Sequence, residues 1–369
     1  MWIAADEPET AKQEVIENYI RKEIEMHIAT ATAPGSAHTN PGQPGKINNQ
    51  DALVMRKHPR GYVTVLCDGC GSQPYSGVGA DIGANVIAQA VSKRLSADPK
   101  IERLDWSRIT EEVIDALRKA AGIFAQSDSI ADFERAVIDR FLFTVVILAV
   151  IEDKAVITSF GDGFIVLDDE VIAMDPPILN SPAYMGYLLL KKSAYHAPEL
   201  RQHLAFQTVR TVELSKLEKG LIVGTDGLRD LVEEDLHHPA LVQPKSLQRW
   251  LNAQTTECMR GGSFIGGKCK DDVSLVIVRS DQAQKRLVED RREVVQLKQE
   301  LSKLQINVTS LTENLDLANA GRKNAEEKIG DLESQLAKAK AKARPPHTIS
   351  KVRQAVTSWL GPEPTPVTD

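Results

Sequence analysis

An α+β layered domain followed by a long coiled-coil helix is the fold class this 369-residue sequence predicts. Three observations carry it. Between Phe141 and Met174, β-rich runs follow one another across the short breaks EDK, GDG and DDE, which suit antiparallel meander pairing. Helix-like patterns lie in separate runs, as in an α+β layering. From Asp281 onward, core-type residues recur at alternating spacings of three and four, the signature of a coiled coil.

The elements follow in order. Glu7 to about His27 reads as a helix, with Val15, Ile16, Tyr19, Ile20 and Ile24 on one face. The stretch "APGSAHTNPGQPGKINNQD" is loop-like in its Pro, Gly and Asn content. "GYVTVLC" reads as a strand. Gly79 to Leu95 and Trp106 to Phe124 read as helices, the second carrying Ile109, Val113 and Leu117 at helical spacing. After the meander, Asp175 to about Gln207 is irregular. "TVRTVELSKLEKGLIVGTDGL" supplies two more strands, and Leu228 to about Met259 reads as helical. "GGSFIGGKCKDD" reads as a flexible loop and "VSLVIVR" as the last strand.

The heptad then places Val294, Leu301, Val308, Leu315, Arg322, Ile329 and Leu336 at a, and Leu297, Leu304, Leu311, Ala318, Ala325, Leu332 and Ala339 at d. β-Branched residues at several a positions with Leu at most d positions favour a parallel homodimer, with a weak layer at Arg322. Pro345 and Pro346 end the coil. A short amphipathic segment with Trp359 follows, then a tail of disordered composition. The expected division is a helical extension over 1–26, a globular domain over 27–280, the coiled coil over 281–344 and the amphipathic segment with its tail over 345–369.

A net charge of −6 gives no general affinity for nucleic acid. Four cysteines in a chain of this length make no disulfide framework. No apolar run reaches the ~18 residues of a membrane span. The N-terminal residues lack a basic and apolar leader pattern. The expectation is a soluble cytoplasmic protein.

Acids mark the strand ends. Asp68 closes "YVTVLCDG", and Asp226 closes "LIVGTDG". Asp162 lies between two strands in "SFGDGFIVL". Asp271 and Asp272 open the last strand, and Asp51 lies in "NNQDA". Each Asp-Gly pair is by itself an ordinary turn signal. Several together at strand edges imply clustered carboxylates, which need neutralising cations. An oxygen-only set suits hard ions such as Mg²⁺ or Mn²⁺.

In this order the motifs resemble the metal-dependent protein serine/threonine phosphatases of type 2C, in their bacterial form. The resemblance runs from His27 to Arg279 through "NNQDA", "CDGCGSQPYSGVGA", "SFGDGFIVL", "GTDGLRD" and "DDVSLVIV". It implies a four-layer α-β-β-α sandwich of two antiparallel sheets flanked by helices. It implies that Asp68 bridges two Mn²⁺ or Mg²⁺ ions, that the Gly69 carbonyl binds one of them, and that Asp51, Asp226 and Asp271 complete the pair. Asp162 would serve a third, weaker site. The implied activity is hydrolysis of phosphoserine and phosphothreonine in a phosphoprotein, by a water that two cations activate. Asp68 and Asp226 would carry catalysis with Lys46, which stands for the family's phosphate-binding Arg. Cys70 replaces a frequent His, and Gly163 a frequent Ser. The alternative reading is a catalytically weak or inactive adaptor of the same fold, scaffolded by its coil. Cys67 and Cys70 have C-x-x-C spacing, read here as a buried strand residue and a loop residue. His38 is assigned no role.

Overall fold

In this computed structural model the described residues are 26–38, 49–176, 182–190, 200, 203–255, 257–260, 263–266 and 269–342. Twelve strands are described: β1 (Met26–Ala33), β2 (Ala52–His58), β3 (Gly61–Gly69), β4 (Phe143–Ile151), β5 (Lys154–Phe160), β6 (Gly163–Leu167), β7 (Glu170–Met174), β8 (Gln207–Glu213), β9 (Leu221–Gly224), β10 (Glu257–Arg260), β11 (Ser263–Gly266) and β12 (Val273–Ser280). The α-helices are α1 (Ser76–Ala97), α2 (Trp106–Phe124), α3 (Ile130–Arg140), α4 (Pro244–Thr255) and α5 (Asp281–Lys342).

One antiparallel sheet has the order β1-β12-β9-β6-β7 and the other β2-β3-β4-β5-β8, with β10 and β11 forming a separate hairpin. Side chains alternate across each strand, so each sheet feeds two cores. On β3 and β4, Val65, Cys67, Val145 and Ile147 pack with α1 and α2. Their neighbours Leu66, Val146 and Leu148 pack with Ile165, Val223 and Val276 of the other sheet. On β12, Leu275 and Ile277 join Leu247 and Leu251 of α4. Three apolar layers between four structural layers give the expected α-β-β-α sandwich. Every residue of β4 is buried, because both its faces are covered.

Local chemistry sets the helix starts. Asp105 caps α2 by accepting from the Arg108 amide at 3.1 Å, and Ser129 caps α3 by accepting from the Asp132 amide at 3.1 Å.

Several elements differ from the sequence reading. Met26 and His27 belong to β1, not to a helix; the remainder of the expected N-terminal helix lies outside the described residues. The run from Leu228 to Met259 is not one helix. It is a 3₁₀ turn (Asp226–Leu231), a second 3₁₀ turn (Pro239–Val242), α4 and then β10. Pro239 and Pro244 each open a new helical segment, since neither can donate within a continuous one. The expected loop "GGSFIGGKCKDD" contains β11, paired with β10. Trp359 and its segment lie outside the described residues.

The chain divides into two compact units, Met1–Glu293 and Val294–Asp369. The start of α5 belongs to the first. There Arg279, wholly buried, donates to the carbonyls of Leu236 at 3.0 Å and His238 at 3.2 Å and to Gln284 Oε1 at 3.3 Å. Burial pushes its guanidinium down to about 10. Gln284 in turn donates to the Pro239 carbonyl at 2.9 Å. Beyond Glu293, α5 is a single helix whose Val294, Leu301, Leu304, Val308 and Leu311 are exposed. No helix among the described residues is long and apolar enough to cross a membrane.

Candidate metal centre

Strand register brings the acids together. Ala52 pairs with Cys67, Asp68 with Thr144, Val145 with Phe160, and Phe164 and Leu275 both with Gly224. The start of β2, the end of β3, the turn between β5 and β6, the end of β9 and the start of β12 therefore share one edge of the sandwich. Asp51, Asp68, Asp162, Asp226 and Asp271 occupy those five positions. Gly69 follows Asp68 in the strand, and a Cβ there would stand 2.7 Å from the Gln50 carbonyl oxygen. Only glycine lets the two segments approach so closely. Gly161, with φ +94°, makes the turn that presents Asp162.

The electrostatics show one neighbourhood. Burial pushes Asp68 well above the usual carboxylate range, and Asp226, Asp51, Asp271 and Asp162 push it further, in that order. Burial raises Asp51 as well, with Asp272 and Asp226 adding to it. Asp226 is pushed up to about 7, by burial and then by Asp162 and Asp271, with Asp68 close beside it. Asp162 and Asp271 are raised, chiefly by lost hydration. Such a set cannot be fully ionised without positive charge beside it.

The donor set fits a hard divalent ion. The clustered side chains offer only carboxylate oxygens, and Asp51 Oδ1, Asp162 Oδ1 and Asp226 Oδ1 are buried without a hydrogen-bond donor. Among the described residues, no three acid, His or Cys side chains are drawn tightly enough to hold an ion as they stand. The acids share a field and an edge rather than a closed cage.

A second ring fixes these acids. Thr225 Oγ1 donates to Asp51 Oδ2 at 2.8 Å and accepts from the Ser274 amide at 3.0 Å. Asp272, almost fully buried, accepts from the Gly35 amide at 2.8 Å and the Gln50 amide at 2.6 Å, and its Oδ2 lies 2.8 Å from His38 Nδ1. Asp272 thus ties the segments before Asp51 to the start of β12. Sequence reasoning missed this role for Asp272 and His38. It also missed Arg229, one turn beyond Asp226, which pairs with Asp175 at 3.3 Å, lies over the Phe164 ring and acts electrostatically on Asp162. The sequence signal was present in "TDGLRD".

Cys70 sits at the rim, with Sγ 3.2 Å from Ser72 Oγ and close to the Tyr184 side chain. Cys67, Cys70 and Cys269 are free thiols, and Cys67 packs in the helix-facing core. Lys46 lies outside the described residues.

The protein phosphatase 2C family profile matches residues 35–260. No curated protein matches the chain by sequence. Among solved structures, a bacterial serine phosphatase matches at 16% identity, covering 70% of this chain and 98% of its own, with a TM-score of 0.40. PppA, a key regulatory component of T6SS in Pseudomonas aeruginosa, matches at 15% identity over 69% of this chain and 97% of its own, with a TM-score of 0.40. The serine/threonine phosphatase PstP/Ppp of Mycobacterium tuberculosis matches at 14% over 69% and 98%, with a TM-score of 0.37. The profile spans more than half of the chain and runs through the acid-bearing strand ends from Asp51 to Asp226, and the protein belongs to the protein phosphatase 2C family.

Proposed function

We propose that the protein is a cytoplasmic, metal-dependent phosphatase that hydrolyses phosphoserine and phosphothreonine in a phosphoprotein. Asp51, Asp68, Asp226, Asp271 and the Gly69 carbonyl would hold two Mn²⁺ or Mg²⁺ ions, with Asp162 at a third, weaker site. The carrying observation is Asp68, whose carboxyl four other carboxylates act on at one edge of the sandwich. When bound, such a pair of ions lowers the pKa of a shared water and offsets charge on phosphate oxygens. Thr225 and Asp272 keep Asp51 and the start of β12 in place for that load. Lys46 would bind phosphate as a point charge, without the bidentate fork of an Arg.

The test is hydrolysis of p-nitrophenyl phosphate with and without Mn²⁺, beside Mn²⁺ titration calorimetry. Turnover that needs Mn²⁺, with binding of about two ions, supports the reading. Binding of a phosphoprotein without turnover would favour the adaptor reading.

We propose as well that α5 forms a parallel homodimeric coil over 281–344, attached to a phosphatase domain over 27–280. In a parallel, in-register pair the flanking positions set Glu293 against Lys298, Asn314 against Asn319 and Lys328 against Glu333, with no like charges among these flanking pairs from Glu293 to Lys340, while at the a positions Arg322 faces its own copy. At Arg322, the guanidinium is already engaged by Glu326 at 2.9 Å, and a Cβ added at Gly321 beside it would meet nothing within 4 Å. That leaves room for the Arg322 stem to leave the seam.

A further inference from the structure

We propose that the cleft between the edge strands β7 and β8 docks the polypeptide flanking the phosphorylated residue, in extended form. This rests on the phosphatase reading above and adds to it where the polypeptide beside the phosphoresidue would lie.

β7 ends one sheet and β8 ends the other, and both present mostly exposed residues. Between them lies a cavity of about 240 Å³, whose walls include Ser159, Gly161, Ala173, Asp175, Gln207 and Thr208. One end adjoins the acid cluster, because Gly161 is bonded directly to Asp162. Further along the two strands, the Arg210–Glu170 ion pair joins β8 to β7 at 2.8 Å. From Gln207 to Arg210, at ~3.4 Å per residue, roughly three extended residues fit.

Two features build the wall ahead of any ligand. In the ladder between β5 and β8, Ile157 pairs with Arg210 and Thr158 with Thr208, so Val209 is an extra residue. Such a bulge re-aims side chains, and Val209 lines the cavity. Phe206, just before β8, is fixed against Trp106 at 5.3 Å and Phe160 at 5.6 Å between ring centres. The edge strands supply backbone donors and acceptors to an added strand. The hydroxyls of Ser159 and Thr208, the Gln207 amide and the small Ala173 suit small or polar side chains beside the phosphoresidue.

The experiment fills the cavity from its exposed side, with Thr208→Trp and, separately, Ala173→Trp. Two quantities are read: the ratio of kcat/KM for a phosphoserine peptide with alanine and serine flanks to that for p-nitrophenyl phosphate, and the affinity of the same peptide, fluorescein-labelled, by anisotropy. The expected result is a fall of about tenfold or more in both, with the kinetic change in the peptide's KM. Both quantities within about twofold of wild type in both variants would overturn the proposal. If that happens while wild type hydrolyses p-nitrophenyl phosphate with Mn²⁺, the cleft fails and the phosphatase reading stands. If the wild type binds peptide in a cavity-dependent way but hydrolyses neither substrate, the cleft stands and the phosphatase reading fails. A wild type that neither binds peptide nor hydrolyses either substrate refutes both.

Discussion

Leu148 on β4 and Leu311 on α5 are the same residue type in opposite circumstances: 1% exposed in the first, 67% in the second. The sandwich satisfies its apolar residues internally, through three layers that its own chain supplies. The long helix repeats apolar residues just as regularly and buries almost none of them. The polar groups differ in the same way. Charges on α5 beyond Glu293 are solvated or paired within the helix, as Arg322 is with Glu326, whereas the acids at the sandwich edge are crowded and raised. Each region is incomplete in its own manner. The edge carries more negative charge than Arg229 offsets, and the helix leaves its apolar residues exposed.

The largest expected effect removes a charge from the edge. Asp68→Asn should lower Mn²⁺-dependent turnover by about a thousandfold or more, since it deletes the acid on which the other four act. The fold should survive, and the melting temperature should stay level or rise, because a repelled buried carboxylate has gone. Turnover near the wild-type rate would break the metal-centre reading.

The second prediction sharpens the contrast in burial. Ile147 is fully buried between sheet and helices, so Ile147→Ala should cost about 2–5 kcal/mol of stability in urea unfolding. Leu304, 59% exposed, should behave differently. Leu304→Ala should leave the unfolding midpoint of the sandwich unchanged but weaken self-association by about tenfold or more in sedimentation equilibrium. Equal effects of the two substitutions on unfolding would erase the distinction.

A smaller effect concerns pH. His237 is held below the ordinary histidine value by burial, and its ring Nε2 meets the Asp168 carbonyl. The folded state therefore binds its proton less readily than the unfolded chain. Its contribution is present above the unfolded value of about 6.5 and is lost as pH falls through the lower folded value. Between about pH 7.5 and 5.5, wild type should lose stability relative to His237→Gln. Parallel stability curves for the two proteins would remove His237 from the account.

What the sequence made legible follows from how local each signal is. The helix from Trp106 to Phe124 could be read because its apolar period lies within one segment. Strand β1 was missed because its buried face is Ala29, Ala31 and Ala33, alternating with residues that carry no contrasting hydrophobic signal. The reading of Leu228 to Met259 as one helix took no account of Pro239 and Pro244, and the chain obeys the prolines. The acids at the edge were legible as strand-end residues. The partners of Asp272 were not, because Gln50 stands 222 residues away and only the fold brings it near.

The smallest expected effect on turnover comes from removing the exposed helix, provided the cut respects how α5 begins. Ala283 is buried, Gln284 reaches the Pro239 carbonyl at 2.9 Å, and Arg291 pairs with Asp235 at 2.9 Å. Those residues and Arg279 together hold the loop that follows Asp226. A chain ending after Glu293 keeps all of them and every proposed ligand. It should be a monomer by light scattering, with p-nitrophenyl phosphate turnover within about twofold of full length, since the acid edge owes nothing to the coil. A chain ending after Ser280 strips Gln284 and Arg291 and leaves the buried Arg279 guanidinium with fewer acceptors, so it should be less stable than the longer truncation. If the chain ending after Glu293 remains a dimer, the heptad is not the dimer contact. If it loses turnover while staying folded, the helix and the acid edge are one functional region, and the contrast between them does not hold.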